Sequence, residues 1–145
     1  MTDRLSRTVI EPLNPKLNVS RNANLPHSPG IRAGEFIFIS GMVAIDPATG
    51  ERAPGTVAAE TRQILANMAH LLESAGSSLA EVVKVNVLIY SMLEYDNMNA
   101  VYREFFPVDP PARTVNEDKT RVCAVPRSAA CSSAAATRSR SNALR

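Results

Sequence analysis

Few side chains in this sequence have the chemistry to act on a substrate, and none belongs to a reactive set that is complete in the sequence alone. Ser40 is a hydroxyl nucleophile by type, but no His-Asp pairing accompanies it, so a cleft-lining or structural role fits it better. His27, in a loop beside Pro26, carries the imidazole that general acid–base work near neutral pH uses, though a loop histidine next to proline is more often only that. His70 falls inside a helical stretch and reads as structural or exposed. Neither histidine has a neighbouring ligand at a metal-binding spacing, so no metal is expected. Cys123 and Cys131 read as two reduced thiols. Arg113, taken by itself, reads as an exposed strand-end arginine or half of a surface ion pair.

The elements that must hold these residues follow from periodicity. Thr8-Val9-Ile10 is a short β-prone run ending at Pro12, and the stretch from Asn14 to Pro29, rich in Asn, Pro and Ser, reads as a loop. A tight turn at Ala33-Gly34 joins two extended pieces. Phe36-Ile37-Phe38-Ile39-Ser40 is apolar on both alternating sets, which predicts a strand buried on both faces. After it, Asp46-Pro47-Ala48-Thr49-Gly50 has turn chemistry.

Helical spacing of Val57, Ile64-Leu65, Met68, Leu71-Leu72 and Ala75 predicts a helix over 56–75, with Thr56 as N-cap and Gly76 just past its end. Val82 to Tyr90 predicts a strand with Val83, Val85, Val87 and Ile89 on one face; Lys84 and Asn86 share the other with Val82, Leu88 and Tyr90. Glu94 to Phe106 is a second amphipathic helix, stopped by Pro107, Pro110 and Pro111. Ala112 to Val115 is extended, and Val122 to Val125 is a stub of strand. The Ser, Ala and Arg of 126–145 show no apolar period and predict a disordered tail. The order is strand, strand, long helix, strand, helix, strand, which fits a two-layer α+β domain over 1–125 with both helices on one face of the sheet. The other face is then left for oligomerisation to cover.

Composition narrows the class further. Apolar residues make up 45% of the 145, enough for one core, built without tryptophan. The net charge of +2 depends on four arginines of the tail, and without them the body is at −2. An acidic body with few aromatics gives no footprint for a phosphate backbone, so nucleic acid is not an expected partner. The absence of an apolar leader or of a run near the ~18 residues a membrane span needs predicts a soluble, cytoplasmic protein.

The segments Gly34–Gly41, Asp46–Gly50, Glu60–Asn67, Val83–Val87, Asn99–Phe106 and Pro111–Val115 stand in the order and spacing of the Rid/YjgF family, which the chain resembles from about Pro26 to Val115. The resemblance implies a chorismate-mutase-like fold, a homotrimer, and ligand clefts between adjacent subunits. It implies cofactor-independent hydrolytic deamination of reactive 2-imino or enamino acids, releasing a 2-oxo acid and ammonia. Arg113 matches the arginine that holds the substrate carboxylate, a task suited to a planar, permanently charged fork. Ser40-Gly41 matches a strand-end pair that lines the cleft, and Asn99 matches a cleft asparagine. His27 stands where the family often has a tyrosine, and Val115 where it commonly has cysteine.

The largest departure is at the end. The family closes on a strand carrying a glutamate that positions the attacking water, and its place here falls near Ser128. Glu117 is the nearest replacement in sequence, only four residues beyond Arg113. Two alternatives follow: a Rid-family member that binds a small carboxylate without turning it over, and an RNA-directed translation inhibitor or ribonuclease, against which the acidic body argues.

Overall fold

A computed structural model describes residues 6–53 and 55–119 in full and 130–138 as backbone. Six strands form one sheet: β1 (Arg7–Ile10), β2 (Gly30–Ala33), β3 (Phe36–Ile39), β4 (Val82–Ile89), β5 (Ala112–Glu117) and β6 (Ala130–Arg138). Their order across the sheet is β1-β2-β3-β6-β4-β5, antiparallel throughout except for the parallel β4–β5 pair. That parallel pair needs a crossover, which the helix α3 (Tyr95–Phe105) supplies. With the long helix α2 (Val57–Ser74), α3 packs its apolar side onto one face of the sheet in a single core, giving two layers of mixed α+β structure.

The ends of α2 are fixed as the sequence predicts. Thr56 Oγ1 accepts from the Ala59 amide at 3.2 Å, and Gly76 takes φ +71°. The Ser77 amide then reaches Leu72 O and the Gly76 amide reaches Glu73 O, each at 2.9 Å, closing the helix with its last carbonyls satisfied. Between these ends Ile64, Leu65, Met68, Leu71 and Leu72 are buried against Ile37, Ile39, Val85 and Ile89 of the sheet. We expect Leu72→Ala, at a fully buried position, to lower unfolding free energy by about 2–5 kcal/mol, read from urea midpoints. A loss under 1 kcal/mol would mean that α2 is not docked as described.

Four expectations are corrected. The strand β4 does not keep one alternation: Val82 is buried and Val83 is 53% exposed, while Val85, Val87 and Ile89 face the core. The β4–β6 register shifts between Val82 and Lys84, so an irregularity there turns Val83 to the other side. β3 is not covered on both faces within the chain, because Ile37 and Ile39 are in the core but Phe36 and Phe38 are half exposed. The loop from Asn14 to Pro29 contains a 3-10 turn (Pro15–Leu17) and a one-turn helix α1 (Val19–Asn22). Its asparagines cap rather than merely turn: the side chains of Asn14 and Asn18 accept from the Lys16 and Arg21 amides.

The fourth correction concerns the tail. Residues 130–138 of the expected disordered segment form β6, in the middle of the sheet between β3 and β4. Both neighbours present main-chain donors and acceptors that must be paired, and a strand satisfies them through its backbone whatever its side chains. The strand stub expected at 122–125, with Cys123, and the remainder of the tail lie outside the described residues.

Among the described residues, no helix lies over one face of this sheet. Val9, Ile31 and Phe38 are cross-strand neighbours on β1, β2 and β3, and the row continues through Ala136 and Lys84 to Ala112. Val9, Phe38 and Phe36, whose ring lies 6.5 Å from that of Phe38, are half exposed there and with Ile31 make an apolar patch on this face.

Candidate functional site

The residues singled out from sequence fall into two groups. His27, Ser40 and Gly41 line a cavity of about 480 Å³ between the N-terminal segment, the end of β3 and α2. Its walls are held by specific bonds. The Ser40 amide donates to Pro29 O at 3.0 Å and the Ser40 hydroxyl to Ser28 O at 2.6 Å, tying the strand end to the segment that carries His27. The Asn14 amide donates to His70 Nε2 at 3.1 Å and the Leu13 amide to Ser74 Oγ at 3.0 Å, which hangs the N-terminal wall on α2. His70 is therefore structural. Asn67, buried on α2, donates to Ile45 O at 2.8 Å and fixes the chain beyond Gly41. His27 itself is exposed at the cavity.

Arg113 lies elsewhere. It pairs with Val85 across β4 and β5 and so points to the helix side. There its guanidinium carbon stands 4.5 Å from the centre of the Tyr102 ring, one nitrogen donates to the Tyr95 hydroxyl at 3.2 Å, and another lies 3.8 Å from Met98 Sδ. Tyr95, Met98 and Tyr102 are spaced i, i+3, i+7, one stripe of α3. No carboxylate pairs with Arg113 among the described residues. Asn99 is buried on the same helix, one residue past Met98. Glu117 does not join this group: it is four residues further along β5, roughly 13 Å at strand rise, and accepts instead from the Met92 amide and Lys119.

Ser40 and Arg113 are thus three strands apart in the sheet, roughly 14 Å at ordinary strand spacing. One chain does not bring the two groups into one small-molecule site. The place of the family's glutamate, near Ser128, is outside the described residues.

Two members of the arginine site were read from sequence as less than they are. In the sequence Tyr95 and Tyr102 both fall inside the amphipathic helix over 94–106, with no role of their own assigned to either. The available signal was tyrosine, with a hydroxyl to place, at positions where phenylalanine would pack equally well. Burial pushes the Tyr102 phenol up to about 12, with the Arg113 guanidinium acting in the opposite direction. Its hydroxyl is buried without a hydrogen-bond partner among the described residues.

Two consequences can be measured with Tyr102→Phe, which keeps the ring under Arg113. At neutral pH the variant should be as stable as the parent or more stable by about 1 kcal/mol, since an orphaned hydroxyl is removed. As pH rises from about 10, the unfolded chain gives up a proton that the folded chain keeps until about 12, so the parent loses on the order of 2–3 kcal/mol across that window. Urea midpoints at pH 8 and pH 11.5 should show a steeper fall for the parent than for Tyr102→Phe. Equal falls would mean that Tyr102 is not buried as described.

Comparison with known proteins agrees with this architecture. A RutC family protein of Pyrococcus horikoshii is 46% identical over 92 residues, covering 63% of this chain and 73% of the relative. A mouse protein named 2-iminobutanoate/2-iminopropanoate deaminase is 35% identical over 102 residues, covering 70% of this chain and 73% of its own length. Among solved structures, a protein of the Rid family from Yersinia pestis superposes with a TM-score of 0.77 at 26% identity, covering 92% of this chain and 99% of that one. The family described as Endoribonuclease L-PSP matches residues 19–120, which contain β2 to β5, both long helices and every candidate site residue. The chain belongs to that family, the YjgF/Rid family.

Proposed function

We propose that this protein is a cofactor-independent hydrolytic deaminase of small 2-imino or enamino acids, with its clefts formed between the subunits of a homotrimer. The observation that carries the reading is Arg113: a half-buried guanidinium, stacked on an aromatic ring, with no carboxylate partner among the described residues. A cation placed this way has donors to spare for an anionic ligand, and a carboxylate fits its fork. The name of the mouse relative points to the same substrate class.

The separation of Arg113 from the His27, Ser40 and Gly41 group supports the shared cleft, since a neighbouring chain can supply what one chain holds too far away. The half-exposed Val9, Phe36 and Phe38 supply an apolar face for such packing. In the reaction water adds to the imine carbon and the C–N bond breaks. The nitrogen leaves as ammonia and the oxygen stays as the ketone of the 2-oxo acid. Arg113 holds the carboxylate, and His27 at the cavity is the group able to take or give a proton. Asn99 and the Ser40-Gly41 pair complete the cleft.

A second reading, a Rid-family protein that binds a small carboxylate without turnover, is favoured by one fact: no acidic side chain accompanies Arg113 among the described residues to hold the water. Release of ammonia and 2-oxobutanoate from 2-iminobutanoate generated in situ separates the two. Turnover above the uncatalysed hydrolysis is expected. A folded trimer that binds 2-oxobutanoate yet releases no ammonia would establish the second reading instead.

A further inference from the structure

The stripe of α3 beneath Arg113 holds one contact that packing does not require. Tyr95 is the first residue of α3 and only half buried, so a phenyl ring would fill its place. Its hydroxyl nevertheless accepts from an Arg113 guanidinium nitrogen at 3.2 Å, while the guanidinium carbon lies 5.7 Å from the Tyr95 ring centre and 4.5 Å from that of Tyr102. Tyr102 supports the flat cation from one side but leaves it free to turn over the ring. Met98 Sδ, at 3.8 Å, is a weak acceptor that directs little. Among the described residues, Tyr95 supplies the one oxygen acceptor that fixes the turn of the fork about its own axis. A guanidinium has five N–H groups, and after Tyr95 and Met98 each take one, three remain, enough for a two-pronged carboxylate contact.

We propose that Tyr95 is a positioning residue for anion binding: its hydroxyl locks the Arg113 fork over Tyr102 before a carboxylate arrives. The proposal rests on the reading of Arg113 as the carboxylate anchor. An arginine side chain has much rotamer freedom to lose on binding, and a fork already held in place loses less of it. Removing the hydroxyl should therefore weaken carboxylate binding by about five- to tenfold without touching the chemical step. The effect belongs to anions alone, because an uncharged ligand does not use the fork.

Calorimetric titration of the full chain with 2-oxobutanoate, and with uncharged 2-oxobutanamide as control, tests this in wild type, Tyr95→Phe and Arg113→Ala. For Tyr95→Phe the expected result is a five- to tenfold weaker affinity for 2-oxobutanoate and an unchanged response to the amide. KM for 2-iminobutanoate should rise by the same factor, with kcat within twofold and the thermal midpoint unmoved. If Tyr95→Phe binds 2-oxobutanoate like wild type while Arg113→Ala does not, the proposal is overturned and the role of Arg113 stands. If Arg113→Ala also binds like wild type, or wild type binds no anion, the anchor reading falls and takes the proposal with it. A Tyr95→Phe chain with a lowered midpoint and equal losses for both ligands would make Tyr95 a packing residue and overturn the proposal as well.

Discussion

Arg113→Ala should lower kcat/KM for 2-iminobutanoate by about 10²–10⁴-fold while leaving the fold intact. Each hydrogen bond between ionised partners is worth about 1.5–3 kcal/mol, so losing a two-pronged contact costs about 3–6 kcal/mol, at 1.36 kcal/mol for each factor of ten. Most of the loss should fall in KM, because the carboxylate is held in the ground state as well as the transition state. A part should fall in kcat, because an unanchored imine no longer presents its carbon at a fixed place to the water. Arg113→Lys should recover little: an ammonium is a point charge and neither stacks flat on Tyr102 nor offers parallel donors. Stability should change by less than about 1 kcal/mol, since Arg113 has no ion pair to lose among the described residues. Steady-state kinetics with wild-type activity in Arg113→Ala would remove the basis for the deaminase reading.

Phe38→Lys should convert the proposed homotrimer to monomers and reduce turnover by at least about 10²-fold. Phe38 is half exposed in the single chain and sits in the row Val9, Ile31, Phe38 on the sheet face that no helix of the described residues covers. Burying an ammonium there against another chain, with no partner for its charge, costs several kcal/mol and outweighs what one apolar side chain contributes to assembly. The folded monomer should tolerate the change, since the core lies on the opposite face with Ile37 and Ile39. Activity should then be lost although Arg113, Ser40 and His27 are untouched, because the two groups they form are three strands apart in one chain. Sedimentation velocity and ammonia release on the same sample decide it. A Phe38→Lys trimer with full turnover would place the interface on another face, and an active monomer would end the shared-cleft reading.

The parts of this fold legible in the sequence are those set by local rules. The helix α2 is marked by a 3.6-residue period, a threonine cap and a glycine at positive φ, all acting within a few residues of one another. The turns at Gly34 and Gly50 follow from backbone freedom at single positions. Alternation predicts a strand over Val82–Tyr90, close to the observed Val82–Ile89, but misplaces Val82 and Val83, because the shift that turns them depends on the register against β6. Apolarity on both faces of β3 predicts burial on both sides, and the described residues of this chain cover Ile37 and Ile39 but leave Phe36 and Phe38 half exposed. The strand β6 was illegible for a different reason: its place is fixed by the open edges of β3 and β4, and its own Ser and Ala residues carry no period.

By itself, then, the sequence determined the segments whose forces are local, together with an ordered series of motifs specific enough to indicate the YjgF/Rid family and to single out Arg113. Only the tertiary structure decided what Arg113 touches. Tyr95, Met98 and Tyr102 reach it from 11 to 18 positions earlier in the chain, because a parallel crossover lays α3 beside β5. It also decided that His27, Ser40 and Gly41 share a cavity that Arg113 does not reach. Side-chain chemistry can be read one residue at a time, but the distance between two side chains is set by strand order and crossover geometry, which no local pattern encodes.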